Sequence, residues 1–465
     1  MVLQQWWHGV SVVGLRGIKA RLGRSALVQA KRGLGVRVDV AAGGVFVAGS
    51  VDSGISISAT GISVGGNGGG ISGSGTGFSS IAGGIGGSSG SAVPGMWLRD
   101  ACSCNNCVHP TTRQKLFSTG RFADADAHAE TTVAAVESGP EPTSSVAIRF
   151  ADGHVATTTA SFNADIWSAD LLPPTHTWHA SAFSRVRTDI DYANLTSADN
   201  NTRPLLSLLN QLQSYGLAFI SNIPFSSSSD DTLSHSSLEV IIAAMRCYPR
   251  HTFYGRTWDV KSVPNAKNIA YTSLDLGLHM DLMYFEAPPA IQFLHSLKNS
   301  VVGGQSIFVD SYAAAQILKS ESPHHYTTLT RTPLTYHYDN DTHLMKQHRF
   351  LISESDINSD APNNLRVFYS PPFQGPCERV RSSKEMKELV DAIAAFENIL
   401  RRPEMLYETR LEPGTAVVFR NLRVLHGRRE FDTSTGERHF KGAYVDHDVV
   451  KDRLMYLRRQ KAHFE

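Results

Sequence analysis

Ala416-Val-Val-Phe-Arg-Asn-Leu-Arg-Val-Leu-His426-Gly-Arg428 reads as a β-strand running into a histidine, and it gains meaning from His279-Met-Asp281, 147 residues upstream. On a strand, residues i and i+2 share a face, so His-x-Asp offers an imidazole and a carboxylate side by side. A distant histidine would complete a two-histidine, one-carboxylate triad, which leaves open coordination positions on non-haem Fe(II), and His426 is a candidate. Twelve residues after His426, Arg438 stands in Glu437-Arg-His-Phe-Lys-Gly-Ala-Tyr444. A buried arginine can hold a carboxylate through two hydrogen bonds, as a dicarboxylate cosubstrate requires. His337-Tyr-Asp339 has the same spacing, and Asp446-His447-Asp448 comes close. The polar run around His337 reads as a loop.

Short β-rich runs recur on either side, at Ser145–Phe150, Leu217–Ile220, Ala290–His295, Ser306–Val309, Leu365–Tyr369 and Ala416–Phe419. Helical patterns separate them. In Ser383–Leu400 the apolar residues Met386, Leu389, Val390, Ile393, Phe396 and Ile399 recur at three- and four-residue spacing, behind a Ser382-x-x-Glu385 capping box. Pro204–Tyr215 reads as another helix, stopped by Gly216. Many strands with a few helices predict a mainly β fold, a sandwich or barrel buttressed by helices.

The chain has 465 residues, 41% hydrophobic and 19% charged, enough for two or three folded units. Its 44 basic and 43 acidic side chains argue against a general nucleic-acid binder. Its five cysteines make no disulfide framework, because three lie within one short loop. Trp97-Leu-Arg-Asp-Ala-Cys102-Ser-Cys104-Asn-Asn-Cys107 offers three thiolates to a soft or borderline metal such as Zn²⁺, which takes four ligands. His109 and His154 are the candidates for the fourth. A filled set of four means a structural metal rather than a catalytic one. No role is assigned to Cys247 or Cys377.

Two segments depart from ordinary globular composition. Residues 1–38 carry seven Lys/Arg and no acid before Asp39, interspersed with apolar residues as on an amphipathic basic helix. That pattern predicts a mitochondrial presequence. It also leaves the rest of the chain net acidic by about six. Residues 39–93 form a Gly/Ser-rich low-complexity segment, with 52–93 read as a flexible linker. Gly and Ser break every apolar run well short of the roughly 20 residues a membrane span needs. The Gly68-x-Gly70-x-x-Gly73 match to a dinucleotide loop carries little information in such a tract.

From Trp97 to Arg459 the sequence resembles the γ-butyrobetaine dioxygenase family of Fe(II)/2-oxoglutarate oxygenases, to which trimethyllysine dioxygenase is closely related. The resemblance implies a small zinc-binding domain at 94–175, with His154 beside Cys102, Cys104 and Cys107. It further implies a double-stranded β-helix (jelly-roll) domain at 176–460, usually dimeric. His279, Asp281 and His426 match the iron ligands. Arg438 matches the arginine that binds the distal carboxylate of 2-oxoglutarate, and Ser306 in Gly303-Gly-Gln-Ser306 stands where relatives place a hydroxyl beside it. Ascorbate is expected as a supporting reductant.

The resemblance extends to the substrate. A trimethylammonium group donates no ordinary hydrogen bond, so its recognition relies on aromatic faces. Tyr254, Trp258, Tyr271 and Tyr444 resemble the four rings of the family's cage. Asn268 stands where the butyrobetaine enzymes have Asn and trimethyllysine dioxygenase has Asp, and a neutral amide suits the substrate lacking an α-ammonium. The family's Asn-rich segment near the substrate carboxylate is replaced by Phe368-Tyr-Ser-Pro-Pro-Phe373. The implied reaction hydroxylates C3 of γ-butyrobetaine to L-carnitine and converts 2-oxoglutarate and O₂ to succinate and CO₂. The alternatives are trimethyllysine hydroxylation and an inactive zinc-containing trimethylammonium-binding protein. A small-molecule substrate, a homodimer, no nucleic-acid partner and a mitochondrial, or else cytoplasmic, location are expected.

Overall fold

The computed structural model describes residues 99–122, 146–149 and 153–158, several short strands between residues 10 and 93, and most of 172–464, excepting 198–200, 225–236, 262–270, 341 and 355–364. The chain divides into two compact units, Met1–Ala164 and Asp165–Glu465.

In the first unit, Val10–Val12, Arg24–Ala30, Gly35–Ala41 and Gly44–Ser50 form a four-stranded antiparallel sheet. Strands therefore stand where the basic leader suggests a helix. The reason is legible locally: Val36, Val38 and Val40 alternate with Arg37 and Asp39, a period of two built from β-branched residues. Within the Gly/Ser-rich tract, Gly54–Ser58, Gly61–Gly65 and Ser91–Val93 form a second small sheet. A hairpin of Val146–Arg149 and Val155–Thr158 follows the cysteine loop.

The second unit is built on two sheets. Their strands are β1 (Asp189–Asp191), β2 (Leu217–Ser221), β3 (Thr257–Lys261), β4 (Leu276–His279), β5 (Ile291–Asn299), β6 (Ser306–Asp310), β7 (Tyr407–Thr409), β8 (Ala416–Arg420), β9 (Val424–Arg428) and β10 (Arg438–Val445). The larger sheet has the order β1-β2-β8-β5-β10-β3 and the smaller one β4-β9-β6-β7, all pairs antiparallel except β1 with β2. Alternation along the strands divides the core. Leu217, Phe219, Val417 and Phe419 face Phe308, Tyr407 and Val424 of the smaller sheet, with Phe308 packing edge-on against Phe219 at 6.2 Å and Phe419 at 5.8 Å. Ala218, Ile220, Ala416 and Val418 point the other way, onto the helices Arg203–Tyr215, Ser237–Ala244 and His447–Phe464. This arrangement is the double-stranded β-helix, and no described helix is long and apolar enough to cross a membrane.

The helix over Ser383–Leu400 has the expected bounds. Its cap differs in detail: Ser382 Oγ accepts from Glu385 N at 3.2 Å, while the Glu385 carboxylate accepts from Arg381 N rather than Ser382 N. Only Leu389, Ala392, Phe396, Ile399 and Leu400 are buried, whereas Met386 and Val390 are exposed, Val390 beside the fully buried Leu389. Gly216 ends its helix in the left-handed region at φ 75°, as a stop residue should. The reading of His337 as a loop is wrong. It lies in Pro333–Asn340, paired antiparallel with His343–Phe350 in a two-stranded hairpin that buries Leu334, Thr335 and Tyr336.

Candidate active site

The register of two strands brings the histidines together. His279, the last residue of β4, pairs directly with His426 in β9, and their rings lie 4.2 Å apart. Asp281 is not on the strand, which ends at His279. It is held in the following turn by Asn421, whose Oδ1 accepts from Asp281 N at 2.8 Å and whose Nδ2 donates to the carbonyls of Asp281 and Pro289, both at 2.9 Å. The next residue, Leu282, takes φ 60°, a left-handed conformation uncommon for leucine. The triad's ligand atoms all lie within 4.8 Å of one another, with His279 Nε2 3.4 Å from Asp281 Oδ1 and His426 Nε2 3.9 Å from Oδ2.

The protonation states suit a divalent metal. Burial, with neighbouring His279, pushes His426 down to about 3, so it is neutral. Burial raises the Asp281 carboxyl, but the contacts with His279, His426 and Tyr444 outweigh it and hold it below the usual carboxylate range. His279 Nδ1 is 2.9 Å from the Gly277 carbonyl; a proton there leaves Nε2 free to coordinate. Neutral imidazoles and an ionised carboxylate are what a metal binds.

Beside the triad lies an excess of positive charge. Arg438, on β10, places its guanidinium 4.0 Å from the Phe440 ring, and its buried Nε has no hydrogen-bond partner. Burial, then repulsion from Arg428 and Arg410, lowers its pKa to about 9. Burial likewise brings Arg428 to about 10. Ser306 pairs with Arg428 across β6 and β9 and lines the same cavity. A half-buried cation with a buried, idle donor fits a carboxylate-bearing cosubstrate.

The far side of the cavity is aromatic. Tyr254, Trp258, Tyr271 and Tyr444 all line it together with the triad, Ser306 and Arg438. Trp258 and Tyr444 stack at 4.1 Å, so no cation fits between that pair. Pro372 and Phe373, from the segment that departs from the family, also line it. Asn268 lies outside the described residues. Sequence reasoning missed Gln292, which donates to Asp281 Oδ2 at 2.7 Å. The available signal was a lone amide in the apolar run Ala290-Ile-Gln-Phe-Leu. It also missed Asn421, whose contacts depend on a fold-wide approach.

In the first unit, Cys102, Cys104 and Cys107 place their sulfurs 3.3, 3.6 and 3.5 Å from His154 Nε2. His109 is turned away, its Nδ1 accepting from Thr112 N at 3.2 Å. Burial, reinforced by the adjoining thiols, drives Cys102 up to about 12. Thiols crowded in this way ionise together only around a cation, so the donor set fits a four-coordinate zinc.

Residues 171–444 match the taurine catabolism dioxygenase TauD, TfdA family, and residues 87–159 match the γ-butyrobetaine hydroxylase-like N-terminal family. The chain is 36% identical to dioxygenase str8 of Strobilurus tenacellus, over 78% of this chain and 85% of that protein. It is 30% identical to γ-butyrobetaine dioxygenase of Pseudomonas sp. (strain AK-1), over 78% and 90%. Trimethyllysine dioxygenase of Meyerozyma guilliermondii is 26% identical, over 80% and 92%. Matches that span both the cysteine loop and the β-helix place the chain in the TauD/TfdA dioxygenase family, within its γ-butyrobetaine dioxygenase branch of Fe(II)- and 2-oxoglutarate-dependent oxygenases.

Proposed function

We propose that the protein hydroxylates γ-butyrobetaine at C3 to give L-carnitine, with 2-oxoglutarate and O₂ as cosubstrates and succinate and CO₂ as coproducts. The observation that carries this reading is the convergence of four aromatic rings, the triad and Arg438 on one cavity. His279, Asp281 and His426 would hold Fe(II), which would supply oxygen activation coupled to decarboxylation of 2-oxoglutarate. The chain's own residues do the rest. Arg438 and Ser306 hold the cosubstrate's distal carboxylate. Tyr254, Tyr271 and the open side of the Trp258–Tyr444 stack meet the trimethylammonium group, each well-placed ring contributing about 0.5–2 kcal/mol. Holding that cation fixes which carbon lies over the metal, and the aromatic walls keep water out.

One observation favours a second reading. Pro372 and Phe373 line the cavity where the resemblance places amides near the substrate carboxylate, which suits a different quaternary-ammonium acid, trimethyllysine included. Incubation with each substrate plus 2-oxoglutarate and Fe(II), followed by mass spectrometry, tests the choice. Carnitine is expected; consumption of trimethyllysine but not butyrobetaine overturns the assignment. Zinc at Cys102, Cys104, Cys107 and His154, supportive ascorbate, a homodimer and a mitochondrial address from the basic leader belong to the same proposal.

A further inference from the structure

We propose that Tyr444 and Gln292 act together as positioning residues, linking the aromatic wall to the metal ligand Asp281. This deepens the reading of the cavity as an aromatic cage beside a metal triad, and rests on it. Gln292 of β5 and Tyr444 of β10 are direct cross-strand partners. Both aim at one atom: Gln292 Nε2 donates to Asp281 Oδ2 at 2.7 Å and Tyr444 Oη donates to the same oxygen at 2.8 Å. Oδ1 is left facing His279 Nε2 at 3.4 Å. Two donors on one oxygen fix the carboxylate's rotation, and they bias it to offer the other oxygen to the metal.

The two residues are not equivalent. Gln292 is 1% exposed, and its Oε1 is buried without a hydrogen-bond partner. Its amide is thus committed to Asp281 at the expense of its carbonyl. Tyr444 faces both ways, with its ring stacked on Trp258 at 4.1 Å and its hydroxyl on the ligand. A cation that settles against the stack and shifts the ring therefore also shifts a hydrogen bond to Asp281. Tyr444 becomes the one side chain shared by substrate recognition and metal coordination among the described hydrogen bonds to that carboxylate.

Tyr444→Phe keeps the ring and removes only the hydroxyl. Mn(II) titration of the full chain, without either organic substrate, is expected to show about tenfold weaker binding for this variant. Gln292→Leu should act in the same direction. The double variant should lose less than the product of the two single effects, because both act on one oxygen. With Fe(II), 2-oxoglutarate and γ-butyrobetaine present, Tyr444→Phe should raise the ratio of succinate to hydroxylated product while the KM for the ammonium substrate changes by less than about twofold. Mn(II) affinity within twofold of wild type in both single variants overturns the proposal, as does a raised KM with unchanged metal affinity. The Mn(II) arm is independent of substrate, so a wrong substrate assignment leaves that test intact. Far-ultraviolet circular dichroism identifies a variant that has failed to fold, and Gln292→Asn then replaces Gln292→Leu in the cycle.

Discussion

Gly442 shows how much of the cavity depends on single atoms. A Cβ added there would lie 2.4 Å from Trp258 Cε2, because the indole lies across this residue, its register partner in β10. Gly442→Ala should push Trp258 off Tyr444 and raise the KM for a trimethylammonium substrate by about tenfold, two well-placed cation–π contacts being weakened at once. Initial-rate kinetics check this, with the KM for 2-oxoglutarate expected to stay unchanged. Arg438 invites a different test. Its half-buried guanidinium lies near Arg428 and Arg410 with a buried, idle Nε, so the free protein carries closely spaced positive charge. Arg438→Met should raise the melting temperature of the ligand-free protein by a few degrees, while 2-oxoglutarate, which stabilises wild type by mass action, should no longer do so. Differential scanning fluorimetry with and without cosubstrate separates these outcomes. The triad and Arg438 were legible through the family resemblance, since only the His-x-Asp pair has a spacing tied to its chemistry and that spacing recurs at His337. Gln292 was not, because its role arises only when β5 and β10 pair.

At the scale of elements, the site is a consequence of register. Pairing of His279 with His426 sets the imidazoles side by side, and the β8–β9 turn supplies Asn421 to hold Asp281. The i, i+2 argument assumes a continuous strand, whereas β4 stops at His279 and the turn brings Asp281 beside the two histidines. Asn421→Asp should destabilise the protein by about 1–3 kcal/mol, because an acceptor would then face the carbonyls of Asp281 and Pro289. Urea denaturation measures the loss, and weaker Mn(II) binding should accompany it. Helices were the easier elements to read: apolar periodicity and a cap located Ser383–Leu400, although Met386 and Val390 turned out exposed. The His337 hairpin was misread because the polar residues His337, Asp339 and Asn340 follow the buried Leu334 and Tyr336 in one strand, so the run resembles a loop in sequence.

Over the whole molecule, charge and composition located the unusual segments but not their conformation. The basic leader and the Gly/Ser-rich tract carry strands in the structure, where alternation of Val with charged residues, and of Ile with Ser, outweighed overall composition. The first unit bears its own test. Around the cysteine loop its described side chains offer few buried apolar groups, Phe122 among them, so a bound metal should supply much of the local stability. Cys107→Ala removes a buried donor that also accepts from Arg99 Nη1 at 3.3 Å. Metal analysis by mass spectrometry should find one zinc per chain in wild type and none in this variant. His426→Ala, which breaks the other donor set, should retain its zinc and lose all turnover. Limited proteolysis should then cut the Cys107→Ala chain near the cysteine loop faster than either wild type or His426→Ala. Zinc retained by Cys107→Ala, or lost from His426→Ala, means that the two donor sets do not divide the metals in this way.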